Sequence, residues 1–114
     1  MKEIEPLKYT VELGETIDVI VTPTGTGVFV AASLDGHTLS PLPGTGTTAP
    51  HYRFLVNRPI GRTHFLAMEF SFPGAGQGAK YDTALTGSHG GSASFTISKD
   101  DSVKDPFLRF KVIG

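Results

Sequence analysis

The stretch from residue 79 to residue 98 constrains this chain most, because it has the pattern of two strands joined by a tight turn. The turn at 88–91 reads Ser-His-Gly-Gly. Apolar or β-branched residues occupy every second position on either side of it: Tyr81, Thr83 and Leu85 before, and Ala93, Phe95 and Ile97 after. Since successive side chains of a strand point to opposite faces, each arm can turn one whole face toward a core. The rest of the chain must then supply a second apolar surface for this hairpin.

The same alternation recurs in further segments bounded by turn residues, and these are predicted strands as well. They are 7–12, 16–22, 28–34, 37–42, 51–57, 62–72 and 107–113. The only candidate for helix is the segment 100–105, which could form at most one helical turn. The pattern predicts an all-β domain, an antiparallel sandwich of two sheets with about eight strands.

Three details of this pattern make specific structural predictions. Asp35-Gly36 is a strong signal for a two-residue hairpin, because a type I′ turn requires positive φ at both positions. Pro41 marks 37–42 as a short edge strand, since proline cannot donate to a ladder. In 28–34 the apolar residues at alternate positions favour an inward row that leaves Phe29 on the outer face.

Size and composition exclude several classes of protein. At 114 residues the chain is expected to form a single domain over 1–114. The absence of cysteine excludes disulfides, thiol catalysis and thiolate metal sites, and fits a reducing compartment or a bacterial secreted module. A formal net charge of −1 gives no basis for capturing nucleic acid or an anionic membrane. The sequence shows neither a membrane-spanning apolar run nor a signal-peptide core in residues 1–6, which leaves the compartment open.

The run from Gly78 through Tyr81 to Leu85, followed by Thr-Gly-Ser-His-Gly-Gly, resembles the late-strand signature of immunoglobulin-like and fibronectin-like sandwiches. The turn is similar to those of bacterial immunoglobulin-like repeats. The resemblance implies that Tyr81 ties its hydroxyl to an upstream backbone group. It also implies an immunoglobulin-like arrangement of the sandwich.

The residues that carry chemistry form no recognised motif. The four histidines, none of them at metal-ligand spacing from another, are His37, His51, His64 and His89. We expect scattered surface histidines, with no metal and no cofactor. The acidic loop at 100–105 lacks the Asp-x-Asp-x-Asp-Gly calcium pattern and is expected to be a solvated connection, with calcium binding as the alternative. Glu69 and Asp82 lie on consecutive predicted strands and are expected to point outward.

Strand direction makes a prediction about the loops. If successive strands run antiparallel, the loops 23–27, 42–50, 73–78 and 99–106 gather at one end of the sandwich. Such loops form either a binding rim or simple crossovers between the sheets. The predicted rim residues are Thr24, Thr45, Thr47, Thr48, Gln77 and Lys104.

Taken together, these features predict a non-enzymatic, immunoglobulin-like binding or interaction module that contacts a protein partner. One alternative is a small carbohydrate-binding module that uses outward-facing aromatic rings, for which Phe29 and Phe65 are the candidates. A second alternative is a hydrolytic enzyme built on Glu69, Asp82 and a histidine. The outward rings and the short edge strand also predict a homodimer.

Overall fold

The computed structural model describes residues 2–3, 9–46 and 48–114, and these residues form ten strand segments and no helix. The strands are β1 (Lys2–Glu3), β2 (Tyr9–Glu12), β3 (Thr16–Thr24), β4 (Phe29–Leu34), β5 (His37–Thr38), β6 (His51–Leu55), β7 (Thr63–Ser71), β8 (Lys80–Gly87), β9 (Ser92–Ser98) and β10 (Pro106–Ile113). The parts of the predicted first strand at 7 and 8, and Thr47 of the predicted rim, lie outside the described residues.

The strands form two sheets, as the alternation predicts. Sheet A has the order β10–β7–β4–β5, and β1 and β2 both pair with β10 at its other side. Sheet B has the order β6–β3–β8–β9. All the described pairings are antiparallel except those of β1 and β2, which run parallel to β10. The fold is therefore an all-β sandwich of two sheets, and that prediction is confirmed.

The core lies between the sheets and consists of the inward rows of their strands. Burial alternates strictly along β7 and β8, as expected for strands with one covered face. The largest fully buried side chains include Tyr52, Tyr81, Phe110, Ile17, Leu66, Met68, Leu85 and Leu108. Each such aliphatic or aromatic side chain stabilises the fold by roughly 1.5 to 3 kcal/mol relative to an exposed position. Phe29 points outward from β4, as predicted, and is 47% exposed.

The hairpin at Asp35-Gly36 is confirmed, and the strand after it is shorter than predicted. Both turn residues have positive φ, 53° at Asp35 and 83° at Gly36, as a type I′ turn requires. β5 ends at Thr38 rather than at 42. The N–H of Leu39 still donates to Ala32 in sheet A, but the N–H of Leu42 donates to His51 in sheet B. Residues 39–42 therefore cross between the sheets instead of extending an edge strand.

Tyr81 has the predicted inward position, but its hydroxyl does not make the predicted hydrogen bond. The side chain is fully buried, and its hydroxyl has no hydrogen-bond partner among the described residues. β8 is an interior strand of sheet B, where the ring packs 5.1 Å from the ring of Phe70 and 5.8 Å from that of Phe72. Burial, with a contribution from Tyr52, raises the pKa of Tyr81 to about 12. The ring is thus packed among other aromatic rings, and its hydroxyl is buried.

This arrangement makes the substitution Tyr81→Phe informative. A buried hydroxyl without a partner stabilises nothing, so we expect the free energy of unfolding to stay within about 0.5 kcal/mol of the wild-type value, or to rise. The control Tyr81→Ala removes the ring and is expected to lower it by about 3 to 5 kcal/mol. Urea unfolding at neutral pH measures both. A loss of more than about 1 kcal/mol in Tyr81→Phe would show that the hydroxyl is hydrogen-bonded after all.

Candidate functional site

The outer face of sheet A contains a concave, largely apolar surface. Where β4 and β7 pair, Phe29 lies opposite Ser71, Ala31 opposite Glu69, and Ser33 opposite Ala67. The outward side chains of Ala31, Ser33, Ala67 and Ser71 are small, whereas the ring of Phe29 stands at one end of the surface. A depression results because four of the outward positions on the two neighbouring strands have little volume.

Two adjoining hollows follow this depression. One has a volume of about 490 Å³ and is lined by Phe29, Val30, Ala31, Glu69, Phe70, Ser71, Lys104 and Asp105. The other has a volume of about 260 Å³ and is lined by Ala31, Ala32, Ser33, Thr38, Ala67 and Glu69. Because both include Ala31 and Glu69, the two hollows adjoin at this pair. We call the surface formed by Phe29, Ala31, Ser33, Ala67, Glu69 and Lys104 the sheet A groove.

Beyond Ala67 the groove is bordered by two stacked rings. Phe107 of β10 pairs with Ala67, and its ring stacks on that of Phe65 with centroids 4.8 Å apart and an interplanar angle of 27°. The guanidinium carbon of Arg109 lies 5.7 Å from the Phe107 centroid. Phe65 is therefore half-buried, with one face of its ring covered, whereas Phe29 is exposed. Of the two predicted exposed aromatics, Phe29 is the one available to a ligand.

Three of the four predicted rim loops contact one another. The N–H of Gly74 donates to the carbonyl of Gly27 at 3.1 Å, so the loops 23–27 and 73–78 are in contact. The approach is close enough that a Cβ on Gly27, where φ is +69°, would lie 2.6 Å from the Gly74 backbone. Lys99 Nζ donates to the carbonyl of Ala75 at 2.7 Å, which ties the loop 99–106 to the same end.

The predicted rim residues, of which Thr45 and Thr48 belong to the fourth loop at 42–50, have different environments. Thr24, Thr48 and Gln77 are exposed. Thr45 is half-buried, because its hydroxyl donates to the Leu42 carbonyl and accepts the N–H of His51. Lys104 Nζ donates to the carbonyl of Asp101, and Lys104 also lines the sheet A groove. The rim thus adjoins the groove through the loop 99–106.

A second cluster, which the sequence analysis missed, surrounds the carboxylate of Asp35. This carboxylate accepts hydrogen bonds from the Phe65 N–H at 2.8 Å, from His64 Nδ1 at 2.7 Å and from Arg58 Nε at 3.1 Å. Burial alone would raise the pKa of Asp35, but these hydrogen bonds outweigh it and hold the pKa below its ordinary value. The cluster lines a hollow of about 470 Å³ whose wall includes Phe54.

The geometry around His64 indicates a structural role for this cluster. His64 is 1% exposed, so the expectation of surface histidines is wrong for this residue. The N–H of Asn57 donates to Nε2 at 3.3 Å, which leaves Nδ1 to donate to Asp35. Both ring nitrogens of the neutral tautomer are therefore occupied. The inward position was visible in the sequence, because His64 lies two residues before Leu66 in the inward row of that strand.

Two other histidines also bind carboxylates. His51 Nε2 and Arg53 Nε each donate to Asp18 at 2.8 Å on the outer face of sheet B. Burial would raise the pKa of Asp18, but the hydrogen bonds from His51 and Arg53 lower it overall. His89 Nδ1 donates to Glu12 at 2.9 Å beside the 88–91 turn. His37 is exposed.

The buried Glu15 holds the 88–91 turn to the start of β3. Its carboxylate accepts the N–H of Glu12 at 2.6 Å and that of His89 at 3.3 Å. The hydroxyl of Ser88 also accepts the N–H of Thr16 at 2.9 Å. Ser88 and His89 thus both help to hold the turn against the start of β3.

The described residues contain no group of three side chains that could hold a metal ion. In the acidic loop, the Asp101 carboxylate accepts the N–H of Ser98 at 2.7 Å. Glu69 and Asp82 are both exposed, as predicted, but they lie on outer faces of different sheets. The structure therefore does not bring these two carboxylates together.

No protein-family model, curated protein or solved structure matches this chain. Within the described ranges, the structure has no helix long and apolar enough to cross a membrane.

The Asp35 cluster makes a prediction about pH. Because its pKa is lower in the folded state than in the unfolded chain, Asp35 stabilises the fold above the unfolded pKa of about 3.9, and this contribution is lost as the pH falls through the folded value. We expect Asp35→Asn, which also tolerates positive φ, to cost about 1 to 3 kcal/mol at neutral pH. We also expect its unfolding free energy to fall less steeply below pH 4 than that of the wild type.

Urea unfolding curves across acid pH measure both effects. The groups that face the Asp35 carboxylate are His64 and Arg58, so Arg58→Gln is a comparison that keeps the carboxylate titratable. Parallel pH profiles for the wild type and Asp35→Asn would contradict the assignment.

Proposed function

We propose that this domain is a non-enzymatic binding module that contacts a protein partner through the sheet A groove. The observation that carries the proposal is the exposed ring of Phe29 at the end of a groove floored by small side chains. An isolated exposed apolar residue is ordinary, but one beside a concave apolar floor offers a site where a partner can bury a side chain. Glu69 in the same groove favours a basic group next to that side chain.

The covered ring of Phe65 and the alanine floor of the groove favour a protein partner over a sugar. A sugar site needs an open ring face together with several polar groups directed at hydroxyls. The groove supplies the ring of Phe29, but the ring of Phe65 is stacked on Phe107. The floor of the groove is largely alanine and offers few polar groups. A small carbohydrate-binding module remains the second candidate, because Phe29 and Glu69 would suit stacking and hydroxyl recognition.

The proposal of a bacterial immunoglobulin-like module rests on the two-sheet sandwich and on the sequence of the β8–β9 hairpin. The strand order has one clear difference from that family. In the immunoglobulin order the last strand pairs with the strand that precedes it in sequence, whereas here β10 pairs with β7. The resemblance therefore supports a sandwich-type binding scaffold more strongly than it supports a particular immunoglobulin subtype.

The arrangement of titratable groups supports a non-enzymatic role. A hydrolase would need two carboxylates, or a histidine and a nucleophile, around one substrate position. Glu69 and Asp82 occupy opposite outer faces, and both ring nitrogens of His64 are already hydrogen-bonded.

Photo-crosslinking tests the proposed surface. The residue p-benzoylphenylalanine is placed at position 29 and, as the matched control, at position 55, since Leu55 is 53% exposed on the outer face of sheet B. In cells that express the chain, we expect position 29 to crosslink a discrete protein and position 55 not to do so. Glu69→Lys is expected to abolish the crosslink through charge reversal. Equal crosslinking at both positions would contradict the proposal.

Affinity measurements with the crosslinked protein complete the test. We expect Phe29→Ala to weaken binding by roughly tenfold or more, because truncating a central apolar anchor typically costs more than 1 kcal/mol. Leu55→Ala is expected to leave the affinity unchanged. If a glycan array instead gives a signal that depends on Phe29, the carbohydrate alternative replaces the protein partner.

A further inference from the structure

β9 is the outermost strand of sheet B, and its sequence lacks the usual features that protect an edge. Among the described residues it pairs only with β8, and its seven residues contain no proline and no charged side chain. Natural edge strands are commonly protected by charges, prolines, bulges or very short length. An uncharged, regular edge of this length can accept another strand.

The hairpin geometry identifies the backbone groups that are free. Gly87 N–H donates to the Gly91 carbonyl, and Lys99 N–H donates to the Ala79 carbonyl. Antiparallel ladders alternate between hydrogen-bonded and non-hydrogen-bonded pairs, so the odd-numbered residues of β9 bond to β8. The even-numbered residues therefore direct their N–H and C=O groups away from the sheet.

One end of this edge is closed by the chain itself. Ser98 donates its N–H to the Asp101 carboxylate at 2.7 Å and accepts the Asp101 N–H at 3.1 Å. Within the described part of the chain, the free groups are then those of Ser92, Ser94 and Thr96, three donors and three acceptors. At the opposite edge of sheet B, both backbone groups of His51 in β6 are occupied, by the Thr45 hydroxyl and the Leu42 N–H. The loop before β6 thus covers the His51 end of that edge, whereas no described residue bonds to the outward backbone groups of Ser92, Ser94 and Thr96.

We propose that β9 pairs antiparallel with β9 of a second copy of this chain, about a two-fold axis at Ser94. In this register Ser94 lies opposite its own counterpart, and Ser92 lies opposite Thr96 of the second copy. All six free groups of each strand are then used, which gives six hydrogen bonds across the interface. A register centred on Phe95 would place Ser92 opposite Ser98 of the second copy. It would use only four of the six free groups on each strand, because Ser98 is already bonded to Asp101.

The side chains are self-complementary in this register. On the outer face the opposed residues are serine and threonine, which can hydrogen-bond across strands. On the inner face the half-buried Ala93 lies opposite the half-buried Phe95 of the second copy, so both lose exposed apolar surface. No like charges oppose each other along the strand. This pairing does not depend on the sheet A groove, since the groove belongs to the other sheet.

Charge substitutions at position 94 test the register directly. The exposed side chain of Ser94 points away from the core, so Ser94→Lys and Ser94→Glu are expected to fold with the wild-type melting temperature. In sedimentation velocity, we expect the wild type to dimerise between micromolar and millimolar concentration. Either variant alone is expected to dimerise roughly tenfold or more weakly, because like charges then lie directly opposite each other. An equimolar mixture of the two is expected to recover the dimer.

Amide hydrogen exchange supplies a second readout. We expect the amides of Ser92, Ser94 and Thr96 to become protected as concentration rises, whereas that of Arg53 on β6 should not change. Ser94→Pro, which removes a donor that β8 does not use, should abolish the dimer while the protein remains folded. A wild-type chain that is monomeric at millimolar concentration would overturn the proposal. So would a dimer that Ser94→Lys leaves unaffected.

Discussion

The packing of the two inner faces against each other is the constraint on which the rest of this structure depends. Strands β3, β7 and β8 commit every second side chain to the core, so that Ile17, Leu66 and Leu85 are fully buried. A one-residue shift in the register of any of these strands would expose its row of apolar side chains to water. The inward face is thus fixed by stability, and recognition is left to the outer faces, the edges and the loops.

The fold was predictable because it depends on local alternation, whereas the polar networks depend on residues far apart in sequence. The rows that place Phe29 outward and Tyr81 inward can be read from spacing alone. The Asp35 carboxylate is different, because it bonds to His64, 29 residues away, and to the Phe65 N–H, 30 residues away. Asp35 is recognisable as a turn residue, but its second role depends on the register of β4 against β7, which local pattern does not specify.

The same distinction explains two features of the outer faces that the sequence analysis did not predict. The groove exists because the pairing of β4 with β7 brings Ala31 and Ser33 next to Ala67 and Ser71, and neither strand alone shows a depression. Glu69 and Asp82 occupy outward positions on consecutive strands, as predicted, yet β7 and β8 belong to different sheets. Because each of the two side chains points outward from its own sheet, they lie on opposite surfaces of the sandwich. Parity within a strand is a local property, but the assignment of a strand to a sheet is a property of the whole chain.

The two proposed surfaces are geometrically compatible, and together they have a consequence for binding. A two-fold axis at Ser94 that joins β9 strands edge to edge runs perpendicular to sheet B, so it keeps the inner face of each copy on the same side. Sheet A of both copies then lies on that side, and both sheet A grooves open in the same general direction, away from the joined sheets. A dimer of this kind would present two copies of the groove toward one surface or one repetitive partner. Two weak contacts in such an arrangement bind more tightly than either alone, because the second contact forms at a high effective concentration. A shallow groove is therefore better suited to a paired module than to a single one.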